Sequence, residues 1–204
     1  MTSFFARVDE IRSRLDVLRH PFYERWSRGE LELSELAFYA GQYRHAVVAL
    51  AEATGQLGED DHADEERRHV ALWDGFVRFV GGDVGAVPTP ETAACAAAWA
   101  DEHRDRAATL AALYAIEAAQ PAISETKRAG LLEHYGSTPG GEGTRYFDVH
   151  AELDHVHAAH DRQQLLATMQ PTDEERLLVE MERVLLANWR LLDGVMPRHA
   201  TAAS

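Results

Sequence analysis

Ser3-Phe-Phe-Ala-Arg-Val8-Asp-Glu-Ile11-Arg-Ser-Arg-Leu15-Asp-Val-Leu18-Arg19 opens the readable part of the chain. Its apolar residues Phe4, Val8, Ile11, Leu15 and Leu18 recur at three and four positions, the period of one helix face, and not at two, the period of a half-buried strand. The same spacing continues along the sequence, so the chain is predicted to be all-helical. The first helix covers Ser3 to Arg19 and stops before Pro21, whose ring disfavours a helical residue ahead of it. A short helix from Pro21 to Arg28 ends at Gly29. Ser34 suits the cap of a long helix reaching about Gln56, with Leu36, Tyr39, Tyr43 and Val47 inward. A helix from Asp61 to Val80 is closed by Gly81-Gly82. Pro90 to His103, Arg106 to Tyr135, Thr144 to Met169 and Thr172 to Val195 complete the set, with Gly136 to Gly143 as the clearest surface loop. No repeat or linker divides the chain, so residues 1–204 read as one domain.

Composition narrows the function. At 204 residues, 46% hydrophobic and 26% charged, the chain has enough apolar content for a full core, which excludes disordered and fibrous classes. The 34 acidic against 20 basic side chains give a formal charge of -14, which repels a phosphate backbone, so no nucleic-acid partner is expected. Ala93 to Ala100 is too short to cross a bilayer and no secretion signal is apparent, so no membrane partner is expected either. One cysteine, Cys95, excludes an internal disulfide framework and a Cys-rich zinc module, and fits a reducing cytoplasm. Within Cys95-Ala-Ala-Ala-Trp99 it reads as a small buried apolar residue.

Histidine carries the chemical signal. Eleven are present, and His150, His155, His157 and His160 fall within one short segment. In His150-Ala-Glu-Leu-Asp154-His-Val-His157, helical geometry places Asp154 and His157 at about +40° and about -20° from His150, on one narrow face. His155 falls well away from that face, and His160 lies at its margin. Two imidazoles and a carboxylate suit iron, manganese or zinc. A second group, Glu65-Glu66-Arg-Arg-His69, sets Glu66 and His69 at i,i+3, the spacing by which helical bundles seat a carboxylate and an imidazole on one metal. Glu65 competes at i,i+4. Glu117 is the only acid between Arg106 and Ser124, and a carboxylate on so apolar a helix needs a partner if buried. Pro121, four residues on, removes a helical N–H and should bend the helix there. Tyr43, His45 and Tyr146 are further candidates for the walls of a site. Oxygen and nitrogen donors without thiolate favour iron or manganese over a structural zinc.

Over nearly its whole length the chain resembles the haem-oxygenase-like dimetal oxidases, relatives of the TenA-type thiaminases and the pyrroloquinoline-quinone synthases. The likeness runs through His20-Pro-Phe-Tyr-Glu-Arg-Trp26, Tyr39-Ala-Gly-Gln-Tyr43, His69-Val-Ala-Leu-Trp73, Tyr114-Ala-Ile-Glu117 with Pro121 and Lys127, and Tyr146-Phe-Asp-Val-His150 onward to His157. It implies a bundle of seven or eight helices holding two iron ions, or one iron and one manganese, that activate dioxygen as co-substrate. The family's ligands fall on Glu65 or Glu66, His69, Glu117, His150, Asp154 and His157. The chain is also similar, at Tyr23 and Lys127, to the para-aminobenzoate-forming branch of the group. There the matching tyrosine is consumed as the source of the product and the matching lysine is the amino donor. The resemblance therefore implies either an external small-molecule substrate or the chain's own side chains, and it allows a homodimer. The competing readings are a metal-free enzyme on the same scaffold and a non-catalytic bundle that binds metal or a partner. TenA-type thiaminases need a late active-site cysteine that Cys95 does not supply.

Overall fold

Local chemistry sets where each helix begins and ends. The computed structural model describes residues 3–58 and 60–196, with the side chains of residues 60–63, 152 and 154 outside what it describes. Helix α1 (Phe4–Arg14) stops short of the expected Arg19. The Asp16 carboxylate accepts the Leu18 N–H at 3.0 Å, an alternative to helical pairing, and Val17–Arg19 forms a 3₁₀ turn instead. Helix α2 (Pro21–Ser27) follows, with His20 Nδ1 accepting the Phe22 N–H at 3.1 Å. Helix α3 (Leu33–Gly55) is capped at Glu32 rather than Ser34, because Glu35 reaches back to accept the Glu32 N–H at 2.8 Å.

Helix α4 (Asp60–Phe79) ends as expected: Gly81 takes φ +73°, and the Gly82 N–H closes on the Val77 carbonyl at 2.8 Å. Helix α5 (Pro90–Trp99) ends before the expected His103, because the Arg104 guanidinium caps the carbonyls of Ala98 and Trp99. The helix expected from Arg106 to Tyr135 is two, α6 (Arg106–Glu117) and α7 (Gln120–His134), so the bend at Pro121 is a full break. Helices α8 (Arg145–Thr168) and α9 (Glu174–Val195) finish the chain, giving nine α-helices and no strand among the described residues, where seven or eight helices were expected.

Helix α3 packs on α4 and α5, α6 on α8 and α9, α7 on α8 and α2, and α5 on α9. All nine contribute to one buried cluster. Its indoles are satisfied as they are buried: Trp26 Nε1 donates to the Lys127 carbonyl at 3.1 Å, Trp73 to Ala40 at 2.9 Å and Trp99 to Val184 at 3.1 Å. Gly130 lets α2 come close, since a Cβ there would sit 2.5 Å from Trp26 Cδ1. Cys95 is fully buried as expected, and burial pushes its thiol far above the ordinary range. No helix among the described residues is long and apolar enough to cross a membrane.

Candidate metal centre

Where α4 crosses α8, Glu66, His69 and His150 are all buried, with their nearest ligand atoms within 4.8 Å of one another. Helical spacing does the local work. Glu66 and His69 stand one turn apart on α4, with His69 Nδ1 3.2 Å from Glu66 Oε1. On α8, His150 Nδ1 donates to the Tyr146 carbonyl at 2.7 Å, which fixes the tautomer and leaves Nε2 as the lone-pair end. That Nε2 is buried and has no hydrogen-bond partner. The His69 and His150 rings lie 4.3 Å apart between centroids, and Tyr146 stacks on His150 at 3.8 Å. Burial pushes the His150 imidazole down to about 4, so it is neutral at neutral pH, the form that binds a metal. Burial alone would raise the Glu66 carboxyl, but the hydrogen bond from His69 and the pull of His69, His150 and His157 hold it below the usual carboxylate range.

His157 sits two turns further along the same face of α8, with Nδ1 3.8 Å from Glu66 Oε1 and Nε2 3.3 Å from Glu65 Oε2. Glu66 is thus the deeper carboxylate, 2% exposed at its side chain, and Glu65 at 32% reaches the cluster from its rim. Glu117 is buried at the last turn of α6, which packs on α8, but stands outside the tight group of three. Asp154 belongs to α8, and its side chain lies outside the described residues. His155 and His160 are exposed, as the face calculation requires of the first. His45 does not line a site: its Nε2 bonds the Ala86 carbonyl at 2.8 Å and clips the loop after α4. Asp161 is fully buried on α8 and was missed in the sequence. Its position eleven residues after His150 returns it to about 20° from that residue, which would have found it. Buried carboxylates and imidazoles, with an orphaned nitrogen at their centre, fit a transition metal such as iron.

A second constellation adjoins the first. Lys127 on α7 is 1% exposed. Its Nζ lies 4.5 Å from the Tyr43 ring centroid, 5.2 Å from Tyr23, 5.4 Å from Trp73 and 5.6 Å from both Tyr39 and Phe147. Burial pushes the ammonium down to about 7, so the neutral amine is well populated at neutral pH. Tyr23 is equally buried, its hydroxyl 2.9 Å from that of Tyr39, and burial drives its phenol well above the ordinary range. The rings run without a gap from Tyr23 to Tyr39 (6.2 Å), Tyr43 (5.3 Å), Trp73 (5.2 Å), Tyr146 (4.8 Å) and His150 (3.8 Å).

Comparisons with known proteins bear on the fold and the family. The chain is 28% identical to a 4-aminobenzoate synthase of Chlamydia muridarum over 217 residues, covering 95% of this chain and 90% of that one. It is 28% identical to a 4-aminobenzoate synthase of Nitrosomonas europaea over 227 residues, covering 95% and 91%. Among solved structures, a domain of unknown function with a haem oxygenase-like fold from Shewanella denitrificans matches with TM-score 0.75 and 20% identity, covering 92% of this chain and 89% of that one. A TenA homologue from P. horikoshii matches with TM-score 0.71 and 14% identity, covering 93% and 95%. These two show the fold. Residues 35–189 match the model of a family described as iron-containing redox enzymes, a span that includes α4, α6 and α8 with their buried carboxylates and imidazoles, and the chain belongs to that family.

Proposed function

We propose that this chain is a dimetal oxidase that uses dioxygen to make 4-aminobenzoate, taking the ring from Tyr23 and the nitrogen from Lys127. The observation that carries the reading is the Lys127 amine, buried 5.2 Å from the Tyr23 ring centroid in a chain whose relatives bear that synthase name. Glu66, His69 and His150 would hold the metal, with Glu65, Glu117, Asp154 and His157 completing places for two iron ions or one iron and one manganese. Bound there, the metals supply the one-electron chemistry and the reduction of dioxygen that side chains lack.

The chain's own residues do the rest. His150 presents a fixed, neutral Nε2, and Tyr146 orients it by stacking and by its carbonyl. The contiguous aromatic rings give an electron leaving Tyr23 a route toward His150 with no wide gap. Tyr39 shares a hydrogen bond with the Tyr23 hydroxyl and so fixes its orientation. Lys127, with its pKa near 7, offers a lone pair to an oxidised ring, which a permanently charged lysine could not. Tyr23 and Lys127 are both sealed from solvent, so a reactive ring meets the amine before it meets water.

Isotope transfer tests this directly. Protein grown with ring-labelled tyrosine and side-chain 15N lysine, given iron, reductant and dioxygen, should release 4-aminobenzoate carrying both labels and lose mass at Tyr23. Unlabelled product, or a polypeptide of unchanged mass, would overturn the self-consuming reading and leave an oxidase of an external substrate.

A further inference from the structure

Glu66, His69 and His150 are sealed among side chains that are themselves buried, Trp73, Tyr146, Phe147 and Glu117 among them. The crossing of α4 and α8 is different. There, exposure rises outward through groups that can hold a metal: Glu66 is 2% exposed at its side chain, His157 11% and Glu65 32%. Their atoms are close enough to pass an ion from one to the next. Glu65 Oε2 lies 3.3 Å from His157 Nε2, His157 Nδ1 lies 3.8 Å from Glu66 Oε1, and Glu66 Oε1 lies 3.2 Å from His69 Nδ1. One imidazole thus turns one nitrogen toward the half-exposed acid and the other toward the buried acid.

A cation entering a buried site must give up its water, and losing the whole shell at once in a low-dielectric interior is costly. A carboxylate still wetted by solvent can take the ion while most of that shell is intact, and each deeper donor then replaces more of it. Charge favours the same place. The formal charge of -14 draws cations to the chain. Of the two guanidiniums that follow Glu65 and Glu66 on α4, Arg67 is held by the Asp64 carboxylate, and Arg68 is exposed, where solvent and salt screen it.

We propose that Glu65 is the first side chain to meet an incoming divalent metal ion and passes it inward, past His157, to Glu66. The inference rests on the reading of this cluster as a metal centre and adds the order in which its side chains are met. Glu65 engages the ion before it is seated and keeps hold of it from the rim, so removing Glu65 costs affinity through slower association. Glu117, buried on α6, meets the ion only at the end of the path. Its removal costs affinity through faster release.

Uptake kinetics test this without any turnover. Anaerobic stopped-flow mixing of the full chain with ferrous ion reads association by quenching of tryptophan emission, Trp73 standing 4.8 Å from Tyr146 and so close to the cluster. Transfer of the bound ion to an excess of chelator reads release. Glu65→Gln, which keeps the shape and removes the charge, should slow association by about tenfold or more and leave release within about twofold. Glu117→Gln should do the reverse, and the thermal midpoint of each metal-free variant confirms folding. Added salt should slow association in the parent more than in Glu65→Gln. Faster release with unchanged association in Glu65→Gln, or equal slowing of association in Glu117→Gln, would overturn the entry route while leaving the metal centre in place. A parent chain that takes up no ferrous ion would overturn the centre and the route with it.

Discussion

Lys127 concentrates the tension of this molecule in one side chain: an ammonium enclosed by five aromatic rings, with its pKa pushed from 10.5 to about 7 by burial. Between those values the unfolded chain holds a proton that the folded chain does not, so stability should rise with pH across that window. Below the folded value both states are protonated and the full penalty of burying the charge is present. Lys127→Met, similar in length and uncharged, should therefore be more stable than the parent by on the order of a few kcal/mol near pH 6 and lose the pH dependence. Urea melts at about pH 6 and about pH 9 would check both statements. The carboxylates give a second prediction. Glu66→Ala should abolish tight iron uptake, whereas Glu65→Ala should weaken it by about 10–100-fold, measured by metal analysis after anaerobic loading and desalting. Spacing alone could not separate these two acids, because both stand within one turn of His69. Depth separates them, and depth is a property of where α8 lies across α4. His150 and His157 were legible because a helix face can be computed from one segment. The cage around Lys127 was not, since its rings come from α2, α3, α4 and α8, and no local pattern records their meeting.

At the level of helices, one small residue sets how closely Tyr23 and Lys127 stand. Gly130 follows Lys127 by one turn and meets Trp26 of α2, the helix that carries Tyr23. Alanine is the better helix former by about 1 kcal/mol, but the added methyl would sit 2.5 Å from the indole, and overpacking of that kind costs about 1–3 kcal/mol. Gly130→Ala should thus be net destabilising and should widen the gap between Tyr23 and Lys127, seen as a lower urea midpoint and slower loss of mass at Tyr23. Pro121 was legible as a bend, but the clean split into α6 and α7 depends also on Arg12 reaching from α1 to the Ala118 carbonyl. That contact joins residues 106 positions apart and has no signature in either segment. Helix ends elsewhere were misplaced for the same kind of reason: Arg104 ends α5 with a side chain that belongs to the next loop.

For the whole molecule, the candidate metal centre brings α4 and α8 together, so a bound cation would act as a crosslink between distant segments. Any ligand held only by the folded state stabilises it in proportion to the logarithm of its excess over Kd. Ferrous iron under anaerobic conditions should raise the thermal midpoint of the parent chain, a chelator should reverse the rise, and His150→Ala should show neither effect. The packing of Tyr23 has an unspoken corollary for the lifetime of each copy. A phenol ring with 1% exposure is surrounded on every side, and excising a buried aromatic group leaves a void that weakens a fold by about 3–5 kcal/mol. That is a large part of the margin by which ordinary domains hold together. A polypeptide that has given up its ring would then mark itself as spent, becoming easier for proteases to open than its fresh neighbours.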